Sequence, residues 1–176
     1  MIFTETKLKG AFIIEPEKRE DERGFFARSY DQKIFSEYGL NPRILQCNMC
    51  HNKYKGTIRG MHRQISPYEE AKYIRCTKGS IFDVIIDLRP KSETYKQWIG
   101  VELNDKNYKM IYIPEGFAAG MQTLEDNTEL FYQVSQVYMP EYESGIRWND
   151  PAFQIKWPLK PTVISHKDAS YEFFKE

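Results

Sequence analysis

The chain has 176 residues with 25 Lys+Arg against 25 Asp+Glu, a length at which about 70% of the unfolded surface is buried in one core. Zero net charge without a basic stripe interleaved with aromatics speaks against a nucleic-acid groove, and no apolar run is long enough to be a membrane helix. Early charges at Glu5, Lys7 and Lys9 are unlike a signal peptide and three cysteines form no disulfide framework, so residues 1–176 read as one cytoplasmic domain with a small-molecule partner.

Short segments rich in aromatic and branched residues recur at intervals of about ten, separated by Gly, Pro, Asn and Asp, which is the spacing of an all-β sandwich or barrel. The one clear helix comes early. Asp31 is its N-cap, Ile34, Phe35 and Tyr38 follow at helical spacing, and Gly39 stops it. Next, Cys47-Asn48-Met49-Cys50-His51 matches the attachment pattern of c-type haem and places three possible metal ligands close together. Haem attachment needs an export signal, and a strand points Cys47 and Cys50 to opposite faces, so the match reads as coincidence.

Arg59-Gly60-Met61-His62-Arg63-Gln64 holds a base candidate, since neutral imidazole accepts a proton near pH 7. Arg59 and His62 have opposite parity in a strand. Both face one cavity only if Gly60 permits a bulge or the strand twists sharply. From Ser80 to Leu88, Phe82, Val84, Ile86 and Leu88 fall on one face and Asp83 and Asp87 on the other, the pattern of a half-buried strand. Thr94 to Leu103 alternates similarly, with Tyr95, Ile99, Val101 and Leu103 in one parity and a turn at Asn104-Asp105. In Thr128 to Tyr138 the even positions include Leu130, Tyr132, Val134 and Tyr138, so both tyrosines project from one strand face. The expected fold is all-β, a double-sheet jelly roll with a few short helices around a partly polar cavity.

The region of His62 and the later Pro114-Glu115-Gly116-Phe117-Ala118-Ala119-Gly120 resemble the two sequence motifs of the cupin superfamily. The metal positions are changed: His62-Arg63-Gln64 stands for the first motif's His-x-His pair, and Ala119 for the second motif's histidine. No metal or cofactor is expected. Nearly the whole chain, from Asp21-Glu22-Arg23-Gly24-Phe25-Phe26 through Arg59-Gly60-Met61-His62, Trp148-Asn149-Asp150-Pro151 and Ser165-His166-Lys167-Asp168, resembles the dTDP-4-dehydrorhamnose 3,5-epimerases.

That resemblance implies a cupin-type jelly roll that epimerises a nucleotide-diphospho-4-keto-6-deoxyhexose at C3, C5 or both, supplying a deoxysugar for surface polysaccharide. It implies His62 as base paired with Asp168, Tyr132 as the acid on the opposite ring face, and Lys72 near the ketone oxygen. A hydrogen beside a ketone is a very weak acid in water. A fixed ammonium at the oxygen stabilises the enolate, and a positioned base adds about 10²- to 10⁴-fold. For the nucleotide, the resemblance implies Arg59 at the diphosphate, Gln46 and Asn48 in further contacts, and Tyr138 lining the sugar pocket. Arg23 and Phe26 would reach in from a neighbouring subunit, giving a homodimer with an exchanged N-terminal strand.

Two departures bear on substrate. The family commonly has histidine where this chain has Ala119, so one donor near the ketone is missing and a single carbon becomes a candidate for inversion. At Arg28 some relatives have a glutamate that accepts the thymine N3 hydrogen, whereas a guanidinium only donates and suits cytosine. Cys50 and Asn52 stand where serines are common. The rivals are a single-centre epimerase of a CDP- or GDP-linked 4-keto sugar, a non-catalytic sugar-nucleotide binding protein, and a metal-dependent cupin oxygenase.

Overall fold

Two antiparallel sheets face each other, and three apolar clusters hold them from inside and outside. The structure, a computed structural model, describes residues 1–175. Its first half contains β1 (Ile2–Glu5), β2 (Phe12–Glu15), β3 (Arg19–Asp21), β4 (Gly24–Phe26), α1 (Gln32–Glu37), β5 (Gln46–Asn52), β6 (Thr57–Gln64), β7 (Lys72–Lys78) and β8 (Ser80–Asp87). The second half adds β9 (Trp98–Asn104), β10 (Met110–Ile113), β11 (Phe117–Thr123), β12 (Thr128–Val134), β13 (Glu143–Gly145), β14 (Val163–Ile164) and α2 (His166–Ser170), with a 3-10 turn at Pro140–Tyr142. One sheet runs β1-β2-β10-β7-β12-β5 and the other β13-β6-β11-β8-β9, with β14 beside β6. This is the expected jelly roll.

Strand alternation places the interior. Ile74 and Cys76 of β7 and Leu130 of β12 meet Ile81 and Ile85 of β8 and Ala119 and Met121 of β11 in the cluster between the sheets. Each buried Leu or Ile there contributes about 1.5–3 kcal/mol. On the outside of the first sheet, Phe35 of α1 packs with Tyr73, Met110 and Tyr112. On the outside of the second, Val84, Ile86 and Leu88 pack with Ile146 and Phe153 of the C-terminal segment.

That third cluster corrects the reading of β8 as half-buried: seven of its eight residues are buried, because the C-terminal segment covers its even face while the odd face enters the sandwich. Two other strands are shorter than their alternation implies. Thr94 to Gln97 is a turn, not the start of β9, wound about Asp87: Thr94 Oγ1 donates to its carboxylate at 2.7 Å and the Lys96 amide to its carbonyl at 2.8 Å. β12 stops at Val134, so Tyr138 lies beyond the strand that carries Tyr132. The predicted helix forms as α1, where the Asp31 side chain accepts the amide hydrogens of Lys33 and Ile34. No helix is long and apolar enough to cross a membrane among the described residues.

Candidate active site

β6 provides the central side chains through a bulge. Met121 of β11 pairs with Arg59 and Ala119 with His62, so Gly60 and Met61 together oppose Gly120 alone. The extra residue turns Arg59 and His62 to the same side, and both line one lobe of a cavity with Lys72, Asp83, Ala119 and Tyr132. Gly60 has φ +118, and a Cβ there would lie 2.5 Å from the Gly120 Cα. Only glycine fits.

His62 is held from the far end of the chain. Its Nε2 lies 2.7 Å from Asp168 Oδ1, and Asp168 Oδ2 accepts the Gly60 amide hydrogen at 3.1 Å. Asp168 is placed by α2, whose N-cap Ser165 accepts the Asp168 amide hydrogen at 3.0 Å. Burial works to raise the Asp168 carboxyl. The hydrogen bond and charge of His62, with donors at Gly60 and Ser165, outweigh it and hold the group below the usual carboxylate range. Asp168 is 4% exposed, so it faces the imidazole as a desolvated anion.

Across the cavity, β12 and β7 supply the phenol and the ammonium. Burial, with contributions from Cys50 and Glu70, raises the Tyr132 phenol above its ordinary value, so it carries its proton at neutral pH. Lys72 is paired with Glu70 at 2.9 Å, both side chains largely shielded from solvent. On β5 the alternation is clean. Gln46, Asn48 and Cys50 turn inward while Cys47, Met49 and His51 are exposed. Cys47 and Cys50 thus lie on opposite faces, as expected.

The second lobe, lined by Gln46, Asn48, Glu70, Tyr138 and Glu143, shares His62, Lys72 and Tyr132 with the first. The lobes measure about 180 Å³ and about 440 Å³. Tyr138 reaches this lobe because Gln64 accepts the Met139 amide hydrogen at 2.6 Å and Gln46 accepts that of Tyr138 at 2.9 Å. Arg59 donates from Nε to Asn52 at 2.7 Å.

Sequence reasoning passed over several groups here. Glu143 accepts hydrogen bonds from Tyr138 and Lys167, each at 2.6 Å, and the Tyr171 ring stands edge-on to His62 at 5.9 Å. Asp83, 1% exposed, has an Oδ2 with no hydrogen-bond partner, and burial pushes its carboxyl up to about 8. Leaving such an atom unpaired costs about 1–3 kcal/mol. Its one sequence signal was the charge it placed on the face of β8 opposite the apolar residues.

Three expected site residues stay outside this cavity within one chain. Phe26 and Arg28 line another, with Met1, Phe25, Arg75 and Tyr108. Arg23 pairs with Asp21 at 2.5 Å and Arg28 with Asp31 at 2.6 Å. Among the described residues, no three His, Cys, Asp or Glu side chains converge as metal ligands do.

The family model for dTDP-4-dehydrorhamnose 3,5-epimerase matches residues 5–176. The chain belongs to the dTDP-4-dehydrorhamnose 3,5-epimerase family. It is 43% identical to the dTDP-4-dehydrorhamnose 3,5-epimerase of Methanothermobacter thermautotrophicus over 99% of this chain and 95% of that one. The solved epimerase of Elizabethkingia anophelis superposes with a TM-score of 0.96 at 36% identity, covering 99% of this chain and 96% of that chain. That of Bacillus anthracis, with TDP and PPi bound, gives 0.94 at 37% identity, covering 98% and 99%. As a member of this family the chain is an isomerase of the epimerase kind.

Proposed function

We propose that the protein epimerises a dTDP-linked 4-keto-6-deoxyhexose at C3, C5 or both, with His62 as base and Tyr132 as acid. The observation that carries this reading is the His62–Asp168 contact of 2.7 Å beside a cavity that also receives Lys72 and Tyr132. Nε2 is committed to the carboxylate, which leaves Nδ1 to take the proton from the carbon beside the ketone. The imidazolium so formed is stabilised by Asp168. The Lys72 ammonium offsets charge on the enolate oxygen. Tyr132 returns a proton from the other ring face.

Arg59 suits the diphosphate as a fixed, forked cation, and Gln46, Asn48 and Tyr138 line the lobe beyond it. Tyr138 would lay its ring against the apolar side of the sugar. Arg23 and Phe26 belong in this reading to the partner subunit's site. The β3–β4 hairpin supports that: all six of its strand residues are exposed, and Phe26 is 67% exposed. The assembly is then a homodimer with an exchanged N-terminal strand. Residues 1–176 act as one catalytic domain, and the free thiols Cys47, Cys50 and Cys76 suit a reducing cytoplasm.

Two observations bear on the substrate. Arg28 is held by Asp31 at 2.6 Å, which gives the guanidinium a local partner and takes support from the cytosine reading. Ala119 lines the reacting lobe and offers no donor, which favours inversion of one carbon as the second reading. Incubation with dTDP- and CDP-4-keto-6-deoxyglucose in heavy water, read by NMR, tests both. Exchange at C3 and C5 of the dTDP sugar with two inverted centres is expected. One inverted centre selects the second reading, equal turnover of the CDP sugar removes the base assignment, and absence of exchange ends the enzymatic reading.

A further inference from the structure

The Asp83 carboxyl lines the reacting lobe, and its buried Oδ2 has no hydrogen-bond partner. On β8 it sits between Val101 of β9 and Met121 of β11. Ala119 lies two residues from Met121 on the same face, a diagonal position from which a long side chain would reach Asp83. The methyl group of alanine does not. Lys72 lines the same lobe and pairs with Glu70 at 2.9 Å; its charge acts to lower the Asp83 carboxyl, and burial outweighs it. The other charged or titratable groups facing the lobe are Arg59 and His62 of β6, Cys50 of β5 and Tyr132 of β12. None of them bonds Asp83 Oδ2.

We propose that Asp83 contacts the substrate, its protonated carboxyl donating a hydrogen bond to the oxygen of the keto carbon in the space that Ala119 leaves open. The inference rests on the epimerase reading above. An ionised carboxylate beside a developing enolate oxygen would oppose the reaction, whereas a carboxylic acid stabilises the same oxygen by donation. Burial keeps the proton on Asp83 at neutral pH, with the group titrating at about 8. Asp83 and Lys72 then share the enolate oxygen from two sides, and Asp83 replaces the donor that residue 119 lacks. Reaction leaves Asp83 unchanged: the proton it shares stays on its oxygen, and the transferred protons pass through His62 and Tyr132.

The test compares Asp83→Asn, which keeps a donor and cannot titrate, with Asp83→Val, which removes it, in exchange and product assays from pH 6 to 10. In the wild type kcat should fall above about pH 8 as Asp83 ionises. Asp83→Asn should stay within about threefold of wild type at pH 7 and lose that alkaline limb, whereas Asp83→Val should lose about 30-fold or more in kcat with little change in KM. Ala119→His in the Asp83→Val background should recover part of the loss. Wild-type rates in Asp83→Val, or an alkaline limb unaltered in Asp83→Asn, overturn the proposal while leaving the epimerase reading intact. A wild-type enzyme that exchanges no deuterium overturns both. If Asp83→Val fails to fold, the Asp83→Asn profile decides alone.

Discussion

Arg59 and His62 lie three positions apart on β6 yet line the same lobe, because two residues of β6 stand opposite one of β11. Guanidinium and imidazole are thereby set on one strand. Gly60→Ala should break this. Its Cβ would meet the Gly120 Cα at 2.5 Å and the Ala119 carbonyl oxygen at 2.8 Å, at a φ of +118. A loss of about 3 kcal/mol or more is expected in urea unfolding, together with loss of exchange. A variant with wild-type stability and activity would show that the strand tolerates another path.

His62→Ala should abolish deuterium exchange at every active carbon, and Asp168→Asn should slow it by about 10²-fold or more while leaving nucleotide affinity near wild type. The reason is electrostatic. Asp168 is desolvated and held as an anion by the imidazole, so its amide analogue no longer stabilises the charged ring. Normal exchange in His62→Ala would reassign the base.

Tyr132→Phe should retain partial exchange and lose inversion. In the proposed mechanism the phenol, kept protonated by burial, only delivers the second proton, so removal from the other face should still occur. NMR of the recovered sugar, showing label with unchanged configuration, checks this. Full inversion by the variant would place the acid elsewhere.

Stability should fall on acidification through Asp87 and Asp168. Burial raises the Asp87 carboxyl, but donors from Arg89, Ser92 and Thr94 overcome it and hold the group down to about 2. The Arg89 guanidinium is 2.7 Å away. A folded-state value below the unfolded value of about 3.9 means stability present at neutral pH and lost as pH falls from about 4 to about 2. Asp168 acts with the same sign. Asp87→Asn should therefore be less stable than wild type at pH 7, and the two should converge near about pH 2 in thermal melts. Parallel curves at all pH values would remove the assignment.

The proposed exchange of the β3–β4 hairpin between subunits predicts complementation between two weak variants. His62→Ala lacks a base but keeps its hairpin, whereas the Arg23→Ala/Phe26→Ala double variant keeps its base. Refolded together, half the dimers are mixed and each has one site with all its parts, so activity should recover to about one quarter of wild type. No recovery, in a mixture that forms mixed dimers, would mean each chain completes its own site.

Much of this arrangement was legible from alternation. The opposite facing of Cys47 and Cys50 on β5, Tyr132 on β12 and the α1 cap follow from periods of two and 3.6 with local capping chemistry, and the parity conflict at Arg59 and His62 pointed to the bulge, whereas Gln46 and Asn48 came from resemblance. The His62–Asp168 pair did not follow from pattern, since 106 residues separate its members and any carboxylate fits the chemistry; resemblance supplied it. The two-sided burial of β8 was hidden because the segment around Phe153 that covers it is irregular. Glu70, Asp83 and Glu143 escaped notice for another reason: lone charges are usually solvated, and only the closed sandwich shows which are not.

Asp168 reaches β6 from α2, after both sheets have received all their long strands. In the proposed mechanism the imidazole gains its anion from a segment that adds no long strand to either sheet, so full proton abstraction requires that this C-terminal turn be docked. Turnover is then expected to report the docking of the C-terminal segment as well as the assembly of the sheets.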